Sequence, residues 1–195
     1  MLRVRWGNTG GRGDHIRDVD KSSGLNRGKN QPRYAFDNNT NTTLRWYCHG
    51  YPVITPYTFT RDIEYVSKRI DAIGGGDSIV IAISLGAHFT AFPLILFQRR
   101  LLNIRAAVER LHARWSPRAR VVVKLANTRN TGDNIEVFNN WNTFQFNSVM
   151  LEAFRGLEVA FVDAWEMTAS ISMRMIHPSD WVVKNQIDLF LSYIC

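Results

Sequence analysis

Hydrophobic and polar positions along this chain fall into two alternating patterns. Ser78-Ile79-Val80-Ile81-Ala82-Ile83-Ser84-Leu85 is a continuous apolar, β-branched run, with Gly74-Gly75-Gly76 before it and Gly86 after it. A run apolar at successive positions buries both faces, which predicts a central strand of a parallel sheet. Arg120 to Ala126 and Leu157 to Val162 repeat the pattern. Between these runs the period changes to three and four residues: Pro93 opens a helix through Leu94, Phe97, Leu101, Ile104, Val108 and Leu111, which Ser116-Pro117 ends. Arg99, Arg100, Arg105, Glu109 and Arg110 supply its polar face. The same spacing predicts helices over Arg61 to Ile73, with Thr60 as N-cap, over Trp141 to Phe154 and over Trp181 to Ile194. Thr43 to Cys48, rich in β-formers, predicts a further strand. Strands alternating with helices imply an α/β fold, a parallel sheet with helices on both faces.

Residues 1–41 lack either pattern. Gly, Asn, Asp, Arg and Lys dominate them, a composition that predicts an irregular basic arm ahead of an α/β domain over 42–195. With 195 residues, 45% of them hydrophobic, the chain holds enough apolar material for one core. Its 24 Lys and Arg against 17 Asp and Glu give a charge of +7, which favours an acidic partner. Neither paired Cys/His zinc spacing nor an aromatic RNA-binding strand accompanies that charge, so no nucleic acid is expected. Scattered His residues imply no metal site, and no cofactor is expected. No run of about 18 apolar residues is present, so no membrane span is expected. Asn38-Asn39-Thr40 and Asn41-Thr42-Thr43 satisfy the N-glycosylation rule in a polar stretch. Arg12-Gly13-Asp14 spells an integrin-type tripeptide, too short in a Gly-rich arm to specify adhesion. Cys48 and Cys195 are the two cysteines, and their pairing stays open at this level.

In parallel α/β sheets ligands bind beyond the carboxyl ends of the strands. The residues there are Gly86-Ala87-His88-Phe89 after one strand, Asn127-Thr128-Arg129 after the next and Asp163-Ala164-Trp165-Glu166 after the last, with His177-Pro178 in the loop before the final helix. An Asp at a strand end and a His in a later loop are the elements of a base oriented by an acid. From spacing alone the simpler reading, in which Asp163 caps a turn and His177 is a partly buried loop residue, is the favoured one.

These segments carry a resemblance. Ile83 to Phe89, Val122 to Arg129, Phe161 to Thr168, Ile176-His177-Pro178 and Asn185 to Cys195 resemble, in order and spacing, the C-terminal domain of the NXPE (neurexophilin and PC-esterase) family, with the similarity running from about Leu44 to the last residue. That domain is similar to the SGNH or GDSL-like acyl hydrolases. The resemblance implies a flavodoxin-like sheet whose first strand is missing or irregular here, passage through the secretory pathway to the Golgi or ER lumen or outside the cell, and removal or transfer of acyl groups on a glycan or glycoprotein. On that view His177 is expected as general base, Asp163 as its orienting acid or a structural surrogate, and Gly86 and His88 as oxyanion-site residues in the loop where such hydrolases often present an Asn; Arg129 is a candidate holder of an anionic sugar group, and Asn38 and Asn41 are the candidate glycosylation sites.

The sequence departs from the hydrolase pattern at definite places. Gly76-Asp77-Ser78 spells the nucleophile tripeptide but precedes its strand, which puts Ser78 at the wrong edge of the sheet. The nucleophile is therefore expected from a segment ahead of Met1, and this chain by itself is expected to be inert. Arg174 rather than Asp stands three residues before His177. A catalytically dead secreted binding or signalling module is the alternative expectation, and a basic nucleic-acid binder a weaker one.

Overall fold

The computed structural model describes residues 2–5, 17–18, 33–47, 64–75, 78–130, 132, 138–173 and 175–194. Arg12 to Asp14, Cys48, Thr60, Gly76, Asp77, Arg174 and Cys195, on which several expectations fall, lie outside them. The chain divides into two compact units, residues 1–82 with 107–121 and residues 83–106 with 122–195.

The first unit is built on β1 (Leu2–Arg5), β2 (Arg17–Asp18), β3 (Arg33–Asp37), β4 (Thr42–Trp46) and the first part of β5 (Ile79–Ser84), hydrogen-bonded in the order β2-β3-β4-β1-β5. All of these pairings are antiparallel, with Leu2 opposite both Trp46 and Ala82. Residues 1–41, expected to be irregular, thus contain strands. Leu2 and Val4 alternate with Arg3 and Arg5, but β1 is short and its partners are distant in sequence, so an average over the segment conceals it. The β3–β4 turn is tied by Asp37, whose carboxylate accepts from the Asn39 N–H at 3.1 Å and from the Thr40 hydroxyl at 2.5 Å. Asn41 takes a left-handed φ of 49°, a conformation Asn tolerates, and Asn38 and Asn41 are both exposed.

Helix α1 (Val66–Asp71) buries Ile70, and Ala107, Val108 and Leu111 are buried on the later turns of α2 (Leu94–Trp115). Arg110 donates to both oxygens of Asp71, at 2.9 and 2.8 Å, and holds that carboxyl below its usual range. Both partners are solvent-accessible, so water and salt screen the pair and its contribution to stability is small. The first described residues of α1 follow Tyr65, which makes no side-chain cap bond.

The second unit holds the carboxyl ends of β5 and β6 (Ala119–Lys124) with β7 (Val159–Val162). These three strands form the parallel sheet flanked by helices that the apolar runs predict. Phe97 and Leu101 of α2 and Phe146 and Met150 of α3 (Asn140–Ala153) are fully or nearly fully buried. Phe89, Phe97 and Phe146 interlock as tilted rings, with centroids 5.2 and 4.8 Å apart. Two further helices follow β7: α4 (Ala164–Ala169), which has no counterpart in the sequence expectation because six residues are too few to show a period, and α5 (Asp180–Ser192).

β6 ends at Lys124 although its apolar run continues to Ala126. Leu125 still donates its N–H to the Val162 carbonyl at 3.0 Å. Ala126 then exchanges both backbone groups with a side chain: Asn147 Oδ1 accepts its N–H at 2.9 Å, and Asn147 Nδ2 donates to its carbonyl at 2.8 Å. Asn147 is buried on the core-facing side of α3, so its carboxamide stands where another strand would.

Two stability predictions follow from β6. Asn147→Leu leaves a buried N–H and a buried C=O without partners, and urea unfolding should show a loss of about 2–5 kcal/mol. Lys124, whose ammonium donates to the Leu125 carbonyl at 3.2 Å, has its pKa lowered by burial from 10.5 to about 8. Between those values the unfolded chain binds more protons, so stability rises with pH across the window and the full penalty applies below it. Lys124→Met should therefore raise the unfolding free energy by about 1–3 kcal/mol at neutral pH. That gain should shrink as pH rises from 8 towards 10.5.

Candidate functional site

The loops beyond the carboxyl ends of the second unit's strands converge through backbone ties. Gly86 begins the turn after β5 with a φ of +107°, which a side chain rarely adopts. A Cβ there would touch Ala126, Met150 and Phe97 at 3.8–3.9 Å, so it is conformation rather than space that calls for glycine. Its carbonyl accepts the Phe89 N–H at 2.9 Å, closing the turn that carries His88. Phe89 is buried against Phe97, and the Arg100 guanidinium lies 5.2 Å from the Phe89 ring centroid.

Arg129 reaches from the loop after β6 into this turn. Its Nη2 donates to the Ala87 carbonyl at 3.0 Å and to the Thr90 hydroxyl at 2.9 Å, while Nε donates to the Phe138 carbonyl at 3.3 Å. The backbone N–H of Arg129 donates to Asn140 Oδ1 at 3.0 Å. Expected as a substrate-holding residue, Arg129 is at the least a tether between the β5 turn and the start of α3. Its Nη1 makes no hydrogen bond among the described residues.

His88 is half-buried. Burial holds its pKa below the usual 6.5, and the nearby charges of Arg129 and His177 push it in the same direction. His177, in the loop before α5, is exposed. That loop is tied to the Arg129 loop by a bond from the Asn130 N–H to the Met175 carbonyl at 3.2 Å. The structure thus brings Arg129 and His177 each within electrostatic reach of His88.

Asp163 has another occupation. Its Oδ1 accepts the N–H groups of Trp165 and Glu166 at 3.0 and 3.1 Å, which makes it the N-cap of α4. No hydrogen bond or ion pair joins Asp163 to His177 among the described residues. Ser78 immediately precedes β5, whereas Gly86 and His88 follow it. Among the described residues no group of three His, Cys, Asp or Glu side chains is placed to hold a metal ion, and no helix is long and apolar enough to cross a membrane.

Sequence reasoning passed over Asn147 and Thr168. Thr168 on α4 accepts the Thr128 N–H at 2.9 Å while donating its hydroxyl hydrogen to the Ala164 carbonyl at 2.7 Å. The signal for Asn147 was positional: Thr143, Phe146, Asn147 and Met150 follow the core spacing of one helix, and a polar residue at a core position needs a buried partner.

Residues 14–195 match the family model described as NXPE family member 4-like, C-terminal domain. No solved structure matches the chain.

A titration tests the position of His88. Because its folded pKa lies below the unfolded 6.5, the unfolded chain binds more protons in the interval beneath 6.5, and stability should fall as pH drops through that interval. His88→Gln should flatten this acid limb in thermal melts while leaving the melting temperature above pH 6.5 comparatively unchanged. An unaltered limb would locate the pH response elsewhere.

Proposed function

Since the chain belongs to the NXPE family, spanning its C-terminal domain, we propose that it contributes the base-bearing half of a glycan-directed O-acyl esterase or O-acetyltransferase site. The observation that carries this reading is the approach of Arg129 and His177 to His88 at the carboxyl ends of a parallel sheet, where catalytic and binding groups of such folds gather. His177 is exposed, as a general base must be to reach a substrate hydroxyl or water. In this reading His88, held toward its neutral form, and the backbone of the Gly86 turn supply the donors to an acyl oxyanion. The charge of Arg129 favours an acidic sugar.

The capping role of Asp163 supports a modest form of this chemistry, in which His177 works without a dedicated acid beside it. Ser78, ahead of β5, is not the nucleophile in this reading. Lumenal or secreted localisation belongs to the same proposal. Asn38 and Asn41, exposed in the β3–β4 turn, are its candidate glycosylation sites. The commitment of Asp163 to α4 also favours a second reading, a secreted binding module that keeps the fold and has lost the chemistry.

Acetyl release from O-acetylated glycans by the full-length protein separates the two. In an enzyme, His177→Ala should lower kcat by roughly a hundredfold or more with the melting temperature preserved. Absence of turnover from the full-length protein, or turnover indifferent to His177, would favour the binding module.

A further inference from the structure

The first turns of α3 present aromatic rings to solvent. Trp141 is 66% exposed and Phe144 45% exposed, large values for such side chains. They stack at 6.0 Å with planes 19° apart, and Phe144 meets Trp165 of α4 at 5.7 Å. The row is positioned by the elements that build the candidate site. Trp141 follows Asn140, which accepts the Arg129 N–H, and Trp165 donates its own N–H to Asp163. One end of the aromatic row therefore adjoins the residue that holds the Arg129 backbone.

We propose that Trp141, Phe144 and Trp165 form a stacking platform for the pyranose rings of an acidic oligosaccharide, whose carboxylate or sulfate group is drawn to Arg129. For its ligand class the inference rests on the glycan-directed reading above; for the platform it rests on the rings alone. A sugar ring has an apolar face and a polar rim, which suits flat aromatic surfaces bordered by amides, and Asn140, Asn142 and Gln145 lie on the same helical turns. A folded protein partner fits less well. Three partly covered rings, each about 150–250 Å² when wholly buried, fall short of the roughly 800 Å² per partner that stable protein interfaces take. Complementarity of charge selects acidic over neutral sugars.

The test is binding of hyaluronan and heparan sulfate hexasaccharides to the full-length protein, followed by tryptophan fluorescence and calorimetry, with carboxyl-reduced hyaluronan and a thymidine decanucleotide as controls. Trp141→Ala with Phe144→Ala should weaken the acidic hexasaccharide roughly tenfold or more without lowering the melting temperature. Trp141→Phe, which keeps a ring, should restore most of the affinity when Phe144 is intact. Reduction of the carboxyl groups should weaken binding to the wild-type protein and leave the remaining affinity dependent on the rings. The proposal is overturned if neither hexasaccharide binds, if binding ignores the ring variants, or if the decanucleotide binds as tightly through the same rings. Acetyl release is measured separately. Ring-dependent glycan binding without turnover retains the platform and removes the enzyme reading, whereas turnover with ring-independent binding does the reverse.

Discussion

Where β6 leaves the sheet, its backbone must find new hydrogen-bond partners, and the rest of the second unit is arranged around that need. A buried peptide group without a partner costs about 1–3 kcal/mol. Asn147 satisfies both groups of Ala126, Thr168 takes the N–H of Thr128, Asn140 that of Arg129, and the Met175 carbonyl that of Asn130. Helices α3 and α4 and the loop before α5 are thereby fixed to one short stretch of chain. The direction in which Arg129 points, and the nearness of the His177 loop, are consequences of this hand-over from strand to side chains.

The same stretch sets the electrostatics. Arg129 is held by the turn after β5 through Ala87 and Thr90, so its charge has a defined place next to His88. A guanidinium whose Nε and Nη2 are bound to protein acceptors is rigid, and a rigid charge acts on its neighbours more predictably than a mobile one. His88 responds by favouring the neutral form. Asp163, by contrast, directs its Oδ1 to the amide groups at the start of α4, where a carboxylate is stabilised by the helix end. Arg129 and Asp163 are therefore each held by neighbouring backbone groups.

The first unit follows a different logic. Its strands pair antiparallel through registers that join residues far apart in sequence, such as Leu2 with Ala82, and its hairpin turn is closed locally by Asp37 and Thr40. The two exposed Asn residues of that turn owe their exposure to the hairpin geometry rather than to any lack of structure around them.

By itself the sequence determined the strands and helices whose periods are long enough to read. β5, with four side chains buried at 0–1% exposure, and α2, with its stripe from Phe97 to Leu111, are dictated by burial on two faces and on one stripe respectively. It also determined the family, through ordered segments from Ile83 onward, and nominated Gly86, His88, Arg129, Asp163 and His177, because residues after parallel strands are placed at the sheet's edge by the fold. Only the tertiary structure decided what each of these does locally. That Asp163 caps α4, that Arg129 tethers a turn, that Asn147 replaces a strand and that Trp141, Phe144 and Trp165 form one row all depend on contacts between residues well separated in the chain. A local pattern records which face is apolar. It holds no record of which distant group will be waiting there.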